Sequence, residues 1–271
     1  MIRRAQPWLG TLVDISVADP DGAPAINAAF AAVALVQRLM SFHEAGSDVS
    51  RFNRASTGEL VQLDQHTWSV LELAQQLVAA SDGSFNVACA PRLVQWGYLP
   101  APSPVAPQFV PGLLGYALED HQRVRKTSAA WLDLGGIAKG YAVDLAIDAL
   151  TQGGVSVACV NAGGDLRVIG PDAWPVTVRA PADPGAAGMQ LMLRDAALAS
   201  SGTYFSLRQR GACAVSALLD GRDGRALIDA ASVTVIAPRC VLADAMTKVV
   251  MASGNARHPC LARFGASAYI I

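Results

Sequence analysis

The run from Asp133 to Asp144, Asp-Leu-Gly-Gly-Ile-Ala-Lys-Gly-Tyr-Ala-Val-Asp, carries the densest chemistry in the sequence. Read in order, it is a strand that ends in a glycine turn and opens a helix. Such a turn lets backbone N–H groups approach a ligand closely, and the helix N-terminus favours an anion. Lys139 adds a point charge suited to phosphate. The spacing is neither G-x-G-x-x-G nor G-x-x-x-x-G-K-[ST], so neither Rossmann nor P-loop chemistry is licensed. On spacing alone, an ordinary strand–turn–helix connection with a surface lysine is the better reading.

Asp244 and Lys248 are four residues apart at the start of a helical pattern, so they share one face. Two readings compete. One is a solvent-exposed ion pair worth a few tenths of a kcal/mol. The other is a carboxylate ligand for a hard cation such as Mg²⁺, which takes oxygen donors. Asn161-Ala162-Gly163-Gly164-Asp165 is a second glycine turn, which alone reads as a hairpin. Phe85 and Trp96 could stack on an aromatic cofactor, although aromatics are more often core. His43, His66, His121 and His258 are scattered without an acidic or thiol partner at a telling spacing, and no G-x-S-x-G or H-E-x-x-H occurs.

These residues need elements to position them. Alternation predicts strands over 11–17, 174–179 and 232–237, and apolar periodicity predicts helices over 24–41, 67–82 and 242–253. Residues 41–53 read as a polar loop. The run from Trp131 to Leu150 reads as strand, turn and helix, and 155–169 as two strands about a glycine turn. Five prolines between 100 and 112 mark an extended crossover, the one candidate linker. The elements interleave without a regular βαβ rhythm, which favours a mixed α/β (α+β) fold in a single domain over 1–271.

Composition narrows the function. The 271 residues carry 21 basic and 22 acidic side chains, a net charge of -1, which excludes the basic excess of a nucleic-acid binder. With 52% hydrophobic residues, the chain has enough apolar content for a real core and is not disordered. Ala23 to Gln37 is the segment closest to a membrane span and reads as a core helix. Five cysteines, odd in number and without a C-x-x-C pair, disfavour zinc and disulfide frameworks. Together with the absence of an apolar stretch after Arg3 and Arg4, they predict a reduced, cytoplasmic protein.

Taken together and in order, several segments resemble the FAD:protein FMN transferase (ApbE) family. They are Leu9-Gly10-Thr11, Met40 to His43, Ser47 to Arg54, Ser81 to Asn86, Trp96-Gly97-Tyr98, Asp133 to Asp144, Asn161 to Asp165, Ser200 to Tyr204, Leu218 to Arg225 and Ala243-Asp244-Ala245. The resemblance implies a T-fold-like scaffold of antiparallel sheets packed with helices. It implies an enzyme that uses FAD and Mg²⁺, moves FMN onto a Ser or Thr hydroxyl of an acceptor flavoprotein, and releases AMP. Relatives that hydrolyse FAD, and a non-catalytic FAD-binding protein, are the alternatives on the same scaffold. The resemblance assigns catalysis to Asp133, Lys139 and Asp244, and metal binding to Asp244 with a carbonyl at Gly136. Leu9, Phe42, Ser84, Phe85, Asn86, Asp133, Lys139, Leu219, Thr247 and Lys248 are assigned to FAD.

The sequence departs from the family pattern where the chemistry is expected. Four residues after Asp244 the family has Thr, a second oxygen ligand, and here stands Lys248, which has donors only. Lys248 is therefore expected to weaken or replace Mg²⁺, because Thr247 lies ~100° away around the helix. The family's His in the segment preceding Asp220 is Ala217 here, and a family Phe-Asp-x-Thr is Phe85-Asn86-Val87-Ala88. Asp133, Asp165 and His43 remain as candidates for a general base.

Overall fold

The computed structural model describes residues 1–19, 21–180, 183–229 and 231–271. They fall into two compact units, each assembled from separate stretches of chain. Unit 1 comprises residues 1–37, 137–204 and 230–271, and unit 2 residues 38–136 and 205–229.

In chain order, unit 1 begins with β1 (Ile2–Trp8), β2 (Thr11–Val17) and most of α1 (Ala23–Met40). Unit 2 follows with α2 (Asp48–Arg54), β3 (Leu60–Gln62), α3 (Gln65–Ala80), α4 (Ala90–Gln95), β4 (Tyr116–Glu119) and β5 (Arg123–Lys126). Unit 1 resumes with α5 (Ala138–Gln152), β6 (Ala158–Ala162), β7 (Asp165–Ile169), β8 (Trp174–Ala180), β9 (Asp183–Leu193) and β10 (Ala197–Gly202). Unit 2 adds β11 (Arg208–Arg210) and β12 (Cys213–Val215). Unit 1 closes with β13 (Ser232–Ala237), α6 (Cys240–Ser253), α7 (Pro259–Arg263) and β14 (Ser267–Ile270).

Unit 1 is built on a seven-stranded sheet in the order β1-β2-β6-β7-β10-β13-β14, and every neighbouring pair is antiparallel. Val13, Ile15 and Val17 alternate onto one face of β2, as the strand period requires. There they meet Ile26, Ala29, Phe30 and Val33 of α1 and Val143, Ala146, Ile147 and Leu150 of α5 in one buried cluster. A second cluster joins Leu166, Val168 and Leu198 of the sheet to Val178 and Leu193 of the β8–β9 hairpin. The α6 helix packs on α5, β10 and β13. By length and composition alone α1 is apolar enough to cross a membrane. Its buried stripe in the first cluster is that of a core helix.

In unit 2, β3, β5 and β4 form a small antiparallel sheet beside α2 and α3. The α2 helix lies inside the segment expected to be a loop. Ser47 caps it by accepting from the Ser50 N–H at 3.0 Å, and Phe52 supplies its core contact, edge-on to Tyr116 with ring centroids 6.4 Å apart. Buried Lys126 donates to the last-turn carbonyls of Phe52 and Asn53 at 3.1 and 2.9 Å, which satisfies groups the helix itself leaves open. The strand expected from Trp131 is instead a segment outside any strand or helix. The Asn53 side chain takes the place of a neighbouring strand: its amide donates to the Leu132 carbonyl at 2.9 Å and accepts from the Leu132 N–H at 2.7 Å. At the N-terminus, Ile2–Trp8 forms an edge strand that the sequence reading did not anticipate, because its alternation is broken by Arg3 and Arg4.

Candidate active site

The charged residues of unit 1 converge where α5 and α6 meet. The helix after the glycine turn starts at Ala138, so Lys139 stands in its first turn. Gly140, one residue on, allows the two helices to touch. A Cβ there would run into the Cys240 carbonyl and lie 2.8 Å from Val241 Cα. The approach also brings the Gly140 N–H onto Asp244 Oδ2 at 3.0 Å. In return, fully buried Asp144 of α5 accepts from the Cys240 and Val241 N–H groups, both at 3.0 Å. It thereby caps α6 from outside, since Arg239 at the N-cap offers no acceptor of its own. Arg167 donates to Asp144 Oδ1 at 2.9 Å, and Arg239 lies 3.5 Å from its Oδ2.

Within this frame, Asp244 is completely buried. Its Oδ1 is ion-paired with Lys248 Nζ, which also donates to the Asp244 backbone carbonyl at 2.9 Å. Lys139 Nζ is ion-paired with buried Asp165, the first residue of β7, and stands 3.9 Å from Asp244 Oδ1. Two carboxylates and two ammoniums thus share one site. Burial alone would push Asp244 up, but Lys139, Lys248 and the Gly140 N–H outweigh it and hold the carboxyl below its usual range. Burial alone would push Lys139 down, but Asp244 and Asp165 outweigh it and raise the ammonium above the ordinary lysine value. For Asp165 burial prevails, and its carboxyl is raised.

Asp244 and Lys248 are therefore a buried pair and not the exposed pair that spacing alone allowed, and Lys139 is a bonded lysine and not a bare surface one. Thr247 is buried, and its hydroxyl donates to the Asp244 carbonyl at 2.7 Å while meeting Ser201 Oγ at 2.7 Å. Both contacts keep it on its own helix and the neighbouring strand. Leu9, in the same unit, sits at φ 56° in the turn between β1 and β2, with its N–H donated to Gln37 Oε1 at 2.8 Å. Gly140 is the member the sequence gives no role, and Asp165, a candidate general base by sequence, is here the ion-pair partner of Lys139. Asp165 read as a hairpin end, and the one cue for Gly140 was a glycine inside a helical pattern.

Unit 2 gathers the remaining assigned residues around backbone turns. Ser84 Oγ donates to the Ser81 carbonyl at 2.9 Å, and Asn86 Oδ1 accepts from the Ala88 N–H at 2.8 Å. The Ser84 carbonyl accepts from the Gly221 N–H at 3.0 Å, and the Val87 carbonyl accepts from the Asp133 N–H at 2.8 Å. These bonds join the Ser84-Phe85-Asn86 strip to the Leu219–Gly221 turn on one side and to Asp133 on the other. Phe85 and Leu219 are buried, as is Phe42. Asp133 accepts from the Gly135 N–H at 3.1 Å, and Gly136 is a residue of the same turn. His43 is exposed, and its N–H is donated to Ser41 Oγ at 3.2 Å.

A hard divalent cation needs several oxygen donors around an open position. In unit 1 both carboxylate oxygens of Asp244 are committed to N–H donors, Asp165 is held by Lys139, and Lys248 adds donors only. Among the described residues, no group of three or more His, Cys, Asp or Glu side chains could hold a metal ion. The donor set fits an anion with two ammonium groups beside it better than it fits Mg²⁺.

The model of the ApbE family matches residues 9–270. The FAD:protein FMN transferase of Vibrio cholerae is 27% identical over 237 residues, which are 82% of this chain and 71% of that protein. The protein of the same name from Rhodobacter capsulatus is 29% identical over 272 residues, 93% of this chain but 51% of its own length. Among solved structures, an ApbE protein from Thermotoga maritima superimposes with a TM-score of 0.85 at 25% identity, covering 100% of this chain and 94% of that one. The flavin transferase ApbE from Vibrio cholerae gives 0.82 at 25% identity, covering 100% and 93%.

Proposed function

The chain belongs to the ApbE family, and from that membership we propose that it is an FAD:protein FMN transferase. The family match over residues 9–270, together with relatives named FAD:protein FMN transferase, carries the reading. In the reaction, an acceptor hydroxyl oxygen attacks the phosphorus of the FMN half of FAD. The bond from that phosphorus to the bridging oxygen breaks, AMP leaves with the electron pair, and the hydroxyl proton is released. The acceptor keeps FMN as a phosphoester on a Ser or Thr. Leu9, Phe42, Ser84, Phe85, Asn86, Asp133 and Leu219 are proposed to line FAD.

Attack on a pyrophosphate needs positioning and charge neutralisation more than covalent help. Lys139 supplies both here. Its ammonium is held by Asp165 and Asp244 and keeps N–H donors beyond the one that Asp165 takes. Asp244 acts by fixing the two ammoniums through Lys248 on its own helix and Lys139 on α5. Mg²⁺ with Asp244 and Gly136 as ligands is the family-derived alternative. The donor set at Asp244 does not fit it, because both carboxylate oxygens already accept from N–H donors.

The test combines purified protein, FAD and an acceptor domain carrying a Ser/Thr-Gly-Ala-Thr site, with mass spectrometry of the acceptor. Addition of one FMN to the acceptor, with AMP in solution, is the expected result. AMP and free FMN over an unlabelled acceptor would mean a hydrolase, and FAD retained without either product would mean a binding protein.

A further inference from the structure

Lys248 is tied down unusually well for a lysine. Its stem lies along α6, its side chain is only 13% exposed, and two of its three N–H donors go to Asp244, one to the carboxylate and one to the backbone carbonyl. Asp244 is fixed in turn by the Gly140 N–H, so the ammonium is held through a bond between two helices. The third donor has no protein partner among the described residues.

The charge count closes around this ammonium. Asp165, Asp244 and Lys139 alone sum to one negative charge. Lys248 brings the set to zero, and it does so at the carboxylate oxygen a cation would need. A divalent cation in its place would bring the set to one positive charge. A strongly bound metal and Lys248 therefore compete for Asp244 Oδ1 and cannot both have it. The side chains of both lysines keep a solvent-facing part, 33% for Lys139 and 13% for Lys248, through which an anion can reach them.

We propose that Lys248 is a built-in replacement for the divalent cation, so that Lys139 and Lys248 together hold the diphosphate of a dinucleotide and this chain works without metal. The identity of the dinucleotide as FAD rests on the flavin-transfer reading; the exclusion of the metal does not.

The test uses the full-length protein, with Mn²⁺ as a spectroscopic substitute for Mg²⁺. Mn²⁺ is titrated against the parent, Lys248→Thr and Lys248→Met, and bound metal is read by electron paramagnetic resonance with and without FAD. FAD affinity is measured by flavin fluorescence in EDTA and in Mg²⁺, and thermal melts check that each variant is folded. The parent is expected to bind no stoichiometric Mn²⁺ below millimolar concentration and to hold FAD equally in EDTA and Mg²⁺. Lys248→Thr, with a hydroxyl in place of the ammonium, is expected to gain one Mn²⁺ site and Mg²⁺-dependent turnover. Lys248→Met can supply neither charge nor oxygen; it is expected to bind FAD at least tenfold more weakly and not to be rescued by Mg²⁺. One equivalent of Mn²⁺ on the parent, a fall in its FAD affinity in EDTA, or a folded Lys248→Thr without a metal site would each overturn the proposal. If Lys248→Thr does not fold, the parent and Lys248→Met still decide it. A parent that neither cleaves FAD nor labels an acceptor would defeat the flavin-transfer reading, while the Mn²⁺ titration would still decide this one.

Discussion

The two units build their sites from different materials. In unit 1, the cluster at Asp244 stands on two long helices pressed together at Gly140, and its members are charged side chains that neutralise one another. In unit 2, the Ser84–Asn86 strip, the turn at Gly221 and Asp133 are held by main-chain groups, with side chains folded back onto their own neighbours. The first arrangement is exact in charge and intolerant of any change in it. The second is exact in backbone shape and nearly indifferent to charge, apart from Asp220 and its arginines. The diphosphate proposed for unit 1 would need the former, and the neutral ring proposed for the strip would need the latter. The distinction can be broken experimentally by changing charge and shape separately in each unit.

Charge in unit 1 gives the largest effect. Asp244→Asn preserves size and leaves Lys139 and Lys248 with one carboxylate between them. Removing one partner of a buried ion pair costs about 3–5 kcal/mol, because the remaining charge stays desolvated. Lys248 at 13% side-chain exposure falls near the lower end of that range. Chemical denaturation should show a loss of about 3 kcal/mol, and turnover of FAD should drop at least a hundredfold. A variant as stable and active as the parent would show that the cluster is not held by its charge balance.

Shape comes next, and the same substitution can be made in both units. Gly140→Ala places a methyl against the Cys240 carbonyl, and Gly221→Ala places one against the Gly83 carbonyl and 2.8 Å from Asn86 Cβ. Neither glycine has a positive φ, so the cost in each is overpacking against backbone, about 1–3 kcal/mol. Their consequences should differ. Gly140→Ala pushes α5 from α6 and draws the N–H from Asp244, so turnover should fall with FAD affinity. Gly221→Ala distorts the strip alone and should weaken FAD binding with little effect on turnover at saturating FAD. Equal kinetic signatures for the two would erase the proposed division between the units.

How much of this could be read from the chain follows from which interactions are local. Alternation placed β2, the β6–β7 pair, β8 and β13, and apolar spacing placed α1, α3 and α6, because one buried face leaves a periodic trace. The segment from Trp131 left the trace of a strand without being one, since its backbone groups are satisfied by the side chain of Asn53, 79 positions away. The α2 helix left no trace: its short length and polar cap resemble a loop, and Lys126, which closes its end, is remote in sequence. In the site, Asp244 and Lys248 were legible as an i, i+4 pair. That the pair is buried, and that Asp165 and Gly140 join it, depends on how the helices and the start of β7 meet in three dimensions, which no spacing encodes.

Asp220 offers the smallest and most specific probe, because beside the Ser84–Asn86 strip it is a buried carboxylate held by arginines. Its buried carboxylate accepts from the Arg222 backbone N–H at 3.0 Å and from the Arg222 guanidinium at 2.7 Å, and Arg225 lies 3.6 Å away. Burial would raise its pKa, but these partners outweigh it and hold the carboxyl below the usual range. A carboxyl depressed in the folded state stabilises fully above its unfolded pKa of ~3.9, and that contribution is lost as pH falls through the folded value. Arg222 and Arg225 are 45% and 65% exposed, so solvent screens much of the attraction. Asp220→Asn should therefore cost about 1 kcal/mol at pH 7, where the parent carboxyl is fully ionised. Measured by urea denaturation at descending pH, the difference between parent and variant should shrink once the solution is more acidic than the unfolded pKa. A difference that stays constant down to strong acid would mean that the turn is held by shape alone, as the Ser84–Asn86 strip is, and that its arginines contribute nothing through charge.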